Sequence, residues 1–207
     1  MGEALTAERI ATGAAHLGVA EPRFAAMQRK HGLPEPQIRS RGYETLLRAI
    51  VSQQVSTAAA ASIWRKLESQ VGDLHNPLRL VAVDPDALRA AGLSRQKASY
   101  AQSLAAHVAD GTLALDALPA DDEAAIALLS SVRGLGRWSA EIYLLFAEGR
   151  ADIFPAGDLA VQVQAGHLFL DGARPTEKPL RAMAEAWRPH RGVAALMLWH
   201  FYNAPPL

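Results

Sequence analysis

Apolar residues recur at spacings of three and four along most of this chain, and that spacing predicts helix after helix. Tyr43, Leu46, Leu47, Ile50 and Val51 trace one helical face. Ser56 follows as the N-cap of a second helix, whose inward face is Ala60, Ile63, Trp64, Leu67 and Val71. The residues between them, Ser52-Gln53-Gln54-Val55, are then a short corner joining two helices. Gly72 to Pro85 reads as a loop, and Asp84-Pro85 opens a short helix that ends at Gly92. Ser94 caps a longer helix that runs to about Val108. Asp121 or Asp122 starts the next, which ends near Val132, and after Gly134-Leu135-Gly136 a helix spans about Arg137 to Ala147. Gly149 to Gly157 is a loop, Asp158 opens another helix, and two more follow around Lys178–Trp187 and His190–Tyr202. Pro22, Pro34, Pro36 and the polar run Arg39-Ser40-Arg41-Gly42 set an N-terminal segment apart. No strand alternation or internal repeat interrupts the series, so the expected fold class is all-α.

Composition narrows what such a fold does. A chain of 207 residues suits one ordinary domain or two small lobes. There is no cysteine, which excludes disulfides, thiolate zinc sites, iron–sulfur clusters and a cysteine nucleophile. Met1 to Ala20 carries Glu3, Glu8 and Arg9 and does not read as a signal peptide, and no apolar stretch reaches membrane-span length. The expectation is a soluble cytoplasmic protein, nucleoid-associated if bacterial, without a membrane partner and monomeric. The formal net charge is zero, which does not advertise a nucleic-acid binder. Its distribution is uneven: Glu21 to Lys66 holds eight basic and three acidic residues, a local +5, whereas Asp110, Asp116, Asp121, Asp122 and Glu123 crowd a later stretch. The seven histidines show no metal-ligand spacing, and neither a phosphate-loop lysine motif nor a Ser/His/Asp set is present.

Two local motifs carry candidate chemistry. In Val132-Arg133-Gly134-Leu135-Gly136-Arg137-Trp138-Ser139-Ala140, two glycines one residue apart stand between helices. They permit a tight hairpin with positive backbone dihedrals, whose N–H groups at the start of the second helix bind a phosphate with no side-chain charge. The same glycines equally serve a plain helix–turn–helix packing corner. Asp158, followed by Leu159-Ala160-Val161-Gln162, is a good helix N-cap. A carboxylate at a helix start is also held rigidly, with the positive end of the helix dipole behind it. Both readings of each motif are compatible with the residues alone.

Across Leu129 to Phe169 the chain resembles the helix–hairpin–helix superfamily of DNA glycosylases: the hairpin is followed by Phe154-Pro155-Ala156-Gly157-Asp158, with Asp158 twenty residues after Trp138. Ile50-Val51-Ser52-Gln53-Gln54-Val55-Ser56-Thr57 and Gly92-Leu93-Ser94-Arg95-Gln96-Lys97-Ala98 resemble further segments of that superfamily, and the likeness extends over Tyr43 to Tyr202. The chain resembles a compact 3-methyladenine DNA glycosylase of the AlkA type, lacking the N-terminal β-rich domain. The resemblance implies two interleaved helical lobes with the active site in the cleft between them: about 43–120 as one, 1–42 and 121–207 as the other, the latter carrying the hairpin 132–140 and the catalytic loop 150–158. It implies excision of alkylated bases from double-stranded DNA by base flipping and hydrolysis, with Asp158 catalytic. Trp138 stands where strand-nicking members have a lysine nucleophile, which implies a monofunctional enzyme, and with Trp199 and Ile142 it would form the base pocket. Ile142 replaces an aromatic, so the pocket is less aromatic than in related enzymes. Gly134, Gly136, Ser139, Gln53, Gln54 and Ser56 would contact DNA, with Gln54 filling the gap left by the flipped base. No cofactor is implied beyond a structural sodium or potassium ion on the carbonyls of Ser130, Val132 and Leu135. Two alternatives stay open: a non-catalytic helix–hairpin–helix module that only grips DNA, and a glycosylase of the same fold acting on another lesion class.

Overall fold

In the computed structural model, which describes residues 5–204, twelve α-helices follow one another and no strand occurs among the described residues. They are α1 (Ala7–Ala20), α2 (Pro22–His31), α3 (Tyr43–Ser52), α4 (Thr57–Val71), α5 (Pro77–Val81), α6 (Pro85–Ala90), α7 (Arg95–Ala109), α8 (Asp122–Ser131), α9 (Arg137–Phe146), α10 (Leu159–Phe169), α11 (Glu177–Met183) and α12 (Arg191–Asn203). A 3₁₀ turn, Ala184–Trp187, completes the segment expected as one helix over Lys178–Trp187. The start of several helices is written locally. Ser56, Ser94, Asp121 and Asp158 accept hydrogen bonds from the N–H groups of Ala59, Lys97, Ala124 and Val161, which would otherwise go unpaired. No helix among the described residues is long and apolar enough to cross a membrane.

The helices gather into two compact units, Ser40–Tyr143 and Met1–Arg39 with Leu144–Leu207. In the first, α3, α5 and α6 pack on α7, and α4 packs on α3 and α6. Leu46, Leu47, Ile50, Leu67, Leu80, Leu88 and Leu104 fill its interior. In the second, α12 packs against α1, α2 and α10. Every residue of α12 from Arg191 to Leu198 is buried. Close approach there relies on glycine: a Cβ at Gly13 would lie 2.7 Å from Val193 Cγ2. Phe24, Phe169, Phe154 and Trp187 meet edge-on or tilted in this core, with Phe154 5.5 Å from Trp187 between ring centroids.

Three expectations change. Gly72–Pro85 is not all loop, because Asn76 caps α5 through the Leu78 N–H and Pro77 supplies its first residue. The N-terminal segment is α1 and α2, and α1 buries Ile10, Gly13, Ala14 and Leu17, one helical stripe. The unit boundary falls inside α9, between Tyr143 and Leu144, rather than after residue 120, so the hairpin packs with Ser40–Tyr143. The reason is physical: Gln53 bonds to Gly134, and the Tyr100 side chain fits against the Gly134 backbone. The same boundary splits the basic stretch, so Glu21–Arg39 and Arg41–Lys66 do not form one face of a single unit.

Candidate active site and nucleic-acid interface

The loop leading to Asp158 has its apolar side sunk in the core: Phe154, Pro155 and Ala156 are buried, while Gly157 is exposed. Turns close it locally, with Ala156 N–H on Phe154 O at 2.9 Å and Asp158 N–H on Pro155 O at 2.9 Å. Side chains from elsewhere then hold it. Arg191 grips both carboxylate oxygens of Asp152 at 3.0 Å, and Arg188 adds an ion pair to the same group. Arg181 donates to Phe154 O at 3.1 Å, and Gln162 donates to Ala156 O at 2.8 Å.

At the end of this loop, half-buried Asp158 caps α10, its Oδ1 accepting the Val161 N–H at 3.0 Å. The same oxygen accepts the Trp199 indole N–H at 2.9 Å. The Trp199 ring stacks on Phe146 at 5.7 Å with 29° between planes, and the Arg39 guanidinium lies 5.1 Å from the Phe146 centroid on that ring. The indole therefore orients the candidate catalytic carboxylate, a part not included in its expected role as a pocket wall. A carboxylate fixed by two donors at a helix N-terminus presents negative charge without reorganising, which suits stabilisation of a developing cation.

The hairpin is built differently. The α8 C-terminus turns through Val132, whose carbonyl accepts the Leu135 N–H at 3.0 Å. Gly134 has φ +97°, and a Cβ there would come within 2.4 Å of Tyr100 Cγ, so glycine is required twice over. Gly136 departs from expectation: its φ is not in the left-handed region, and a Cβ would meet nothing within 4 Å. Nothing in the protein's own packing asks for glycine at 136. Arg137 opens α9 yet is already committed, paired with Glu123 at 2.6 Å and Glu141 at 2.9 Å. The Glu123 hydrogen bond, followed by the charges of both carboxylates, raises its already high pKa further. Trp138, one residue on, is 47% exposed despite its size. Ser139 and Ile142 are buried, so the Ser139 hydroxyl adds little to a DNA-facing surface.

Beside the hairpin lies the corner between α3 and α4. Gln53 Nε2 donates to Gly134 O at 3.0 Å, and Lys97 Nζ donates to Val51 O at 2.8 Å. Desolvation lowers the Lys97 pKa from its ordinary value. Gln54 is exposed with φ +53°, a conformation costing a non-glycine residue about 1–2 kcal/mol. Such a strained residue at an exposed turn marks a candidate functional position. Ser56 caps α4 at 3.2 Å, which accounts for a serine at that position.

The carbonyls of Ser130, Val132 and Leu135 are hard, neutral oxygen donors of the kind that suits a monovalent cation. At the end of α8 the Ser130 hydroxyl is buried without a hydrogen-bond partner, an orphaned polar atom beside the first of these carbonyls. No cluster of His, Cys, Asp and Glu able to hold a metal occurs among the described residues.

Sequence reasoning missed Arg181, Gln162, Arg191, Lys97 and Phe146. Lys97 and Gln162 lay within motifs singled out beforehand; the other three did not.

The chain is similar to known DNA repair proteins. A family profile described as HhH-GPD superfamily base excision DNA repair protein matches residues 47–189. The fission yeast Schizosaccharomyces pombe alkylbase DNA glycosidase-like protein mag2 is 28% identical over 198 residues, 89% of this chain and 90% of that one. The crystal structure of a DNA-3-methyladenine glycosidase from Bacillus halodurans superposes with TM-score 0.83 at 31% identity, covering 92% of this chain and 89% of the other. The S. pombe 3-methyladenine DNA glycosylase in complex with abasic DNA gives TM-score 0.78 at 27% identity, over 91% of this chain and 95% of that one.

Proposed function

Because this chain belongs to the HhH-GPD superfamily of base excision DNA repair proteins, we propose that it is a monofunctional DNA N-glycosylase that removes alkylated bases, 3-methyladenine and related lesions, from duplex DNA. The observation that carries the reading is Asp158, capping α10 and accepting the Trp199 indole N–H on the same oxygen. In the proposed reaction the C1′–N bond breaks and its electron pair leaves with the base, so a cationic alkylated purine departs neutral. The sugar becomes oxocarbenium-like, Asp158 stabilises that charge, and a water attacks C1′ and gives up its proton to the carboxylate. Trp138 offers an exposed ring on which an electron-poor flipped base stacks. Its side chain has no amine to form a Schiff base, so the product is an intact abasic strand.

The N–H groups at the start of α9 beyond Gly136 grip a backbone phosphate, and Gln54 fills the space vacated by the base. A sodium or potassium ion on the carbonyls of Ser130, Val132 and Leu135 would add positive charge beside that phosphate. The partner is double-stranded DNA, met by a monomer in the cytoplasm or, in a bacterial cell, on the nucleoid.

The test is Asp158→Asn, assayed for base release from duplexes carrying 3-methyladenine or 7-methylguanine. The barrier should rise by about 3 kcal/mol, on the order of a hundredfold in rate, with fold and DNA affinity kept. Near-wild-type excision by the folded variant, or borohydride trapping of a protein–DNA adduct during turnover, overturns the assignment.

A further inference from the structure

The corner between α3 and α4 is joined to the hairpin by a side chain, although the two are eighty-one residues apart in the chain. Gln53 spans the gap with its amide N–H on Gly134 O at 3.0 Å. On the corner's other side Lys97 donates to Val51 O at 2.8 Å, at the end of α3 where carbonyls lack helical partners. Directly after Gln53 in the chain, Gln54 stands in the left-handed region, φ +53°. The hairpin end of the strut is equally firm, because Tyr100 fills the space over Gly134 and Leu135 is buried.

From this arrangement we infer that Gln53 and Lys97 are positioning residues that couple the phosphate anchor to the base-replacing residue Gln54, fixing the offset between them before DNA arrives. The inference rests on the proposed glycosylase function for its purpose, though not for its geometry. Without the two bonds the backbone at Gln54 would relax toward ordinary dihedrals and its side chain would sample many directions. With them, once the hairpin engages a phosphate, the glutamine is already aimed at one step of the duplex. The entropy of ordering the corner is lost on folding and not again on binding. Gln53, expected to touch DNA, acts through Gln54 instead, and its amide N–H is committed to the hairpin.

The closing experiment uses Gln53→Ala, Lys97→Met, Gln54→Ala and the Gln53→Ala/Gln54→Ala double variant of the full chain. Amide hydrogen exchange in the protein without DNA comes first. Both Gln53→Ala and Lys97→Met should speed exchange at residues 53–55 by about tenfold, with α4 and α7 amides unchanged. Exchange unaltered at the corner overturns the coupling whatever the enzyme does. Single-turnover excision and the fluorescence of 2-aminopurine beside the lesion come second. Gln53→Ala should cut both by about tenfold while affinity for undamaged duplex stays within about twofold of wild type. In the Gln54→Ala background the same change should have little further effect, since its route of action is gone. Losses that multiply in the double variant, or a loosened corner that flips and excises normally, overturn the positioning role. Wild-type protein that releases no alkylated base would instead sink the glycosylase reading, and the exchange result would still decide whether the corner is locked.

Discussion

The loop before Asp158 and the hairpin before Trp138 both present a group to the outside, yet they are made rigid by opposite means. The loop is gripped by long side chains: Arg191 on Asp152, Arg181 on Phe154, Gln162 on Ala156 and Trp199 on Asp158. The hairpin depends on the lack of a side chain, with Gly134 in a conformation and a space that only glycine accepts and Gly136 left open. A carboxylate used for chemistry has to be held at one angle, which calls for directed donors. A backbone used to grip phosphate has to be approached closely, which calls for bare N–H groups.

The largest effect should come from removing what the hairpin depends on. Gly134→Ala combines a positive φ with a methyl inside the Tyr100 ring, and together these should cost roughly 2–5 kcal/mol of stability. Chemical denaturation should show the loss, and DNA binding should fall for damaged and undamaged duplexes alike. Next is the loop's deepest grip. Arg191→Met leaves Asp152, a largely buried carboxylate, with the exposed Arg188 and the backbone N–H of residue 191, and breaking such a pair costs about 3–5 kcal/mol at most. About half of that is the expected loss, because Asp152 keeps these two donors. A denaturation midpoint equal to wild type would show the grip to be dispensable.

Trp199→Phe is smaller and more diagnostic. It keeps an aromatic face for Phe146 and removes only the N–H to Asp158. The single-turnover rate should drop about tenfold, near 1.5 kcal/mol for a hydrogen bond to a charged group, with DNA affinity unchanged. Reduced affinity with an unchanged rate would mean that the indole serves the base rather than the carboxylate. The smallest effect on the fold should be Gly136→Ala. Its Cβ meets open space, so stability should change by less than about 0.5 kcal/mol while affinity for any duplex falls. Unimpaired binding by this variant would reduce the hairpin to a packing corner.

The same contrast explains what could be read from the amino-acid order. Helix starts were legible because the cap and the amide it serves lie two or three residues apart, as at Ser56, Ser94, Asp121 and Asp158. The hairpin was legible as a local glycine pair. Asn76-Pro77 carries the same start signal as Asp84-Pro85, but five residues are too few for an apolar period to register, and α5 went unnoticed. Trp199 could be picked out as an aromatic near the right place, whereas its bond to a carboxylate 41 residues earlier has no local trace. Arg181 reaches 27 residues back to a carbonyl, a partner that any residue type supplies, so no pattern could announce it. Gly136 was expected to need a positive dihedral like Gly134, and spacing alone cannot separate a glycine required by its own conformation from one whose Cβ position is open.

The pairing of Arg137 with Glu123 and Glu141 bears on how long such a protein stays on duplex DNA. Each cation that neutralises a phosphate releases counterions and lengthens the stay on every stretch of duplex, sound or damaged. An arginine at the mouth of the hairpin that is balanced by two carboxylates contributes little of this general adhesion. Its pairing removes one such contact, and the salt slope of duplex binding should be shallower in the wild type than in Glu123→Gln. Neutralising Glu123 would shift that balance toward longer residence.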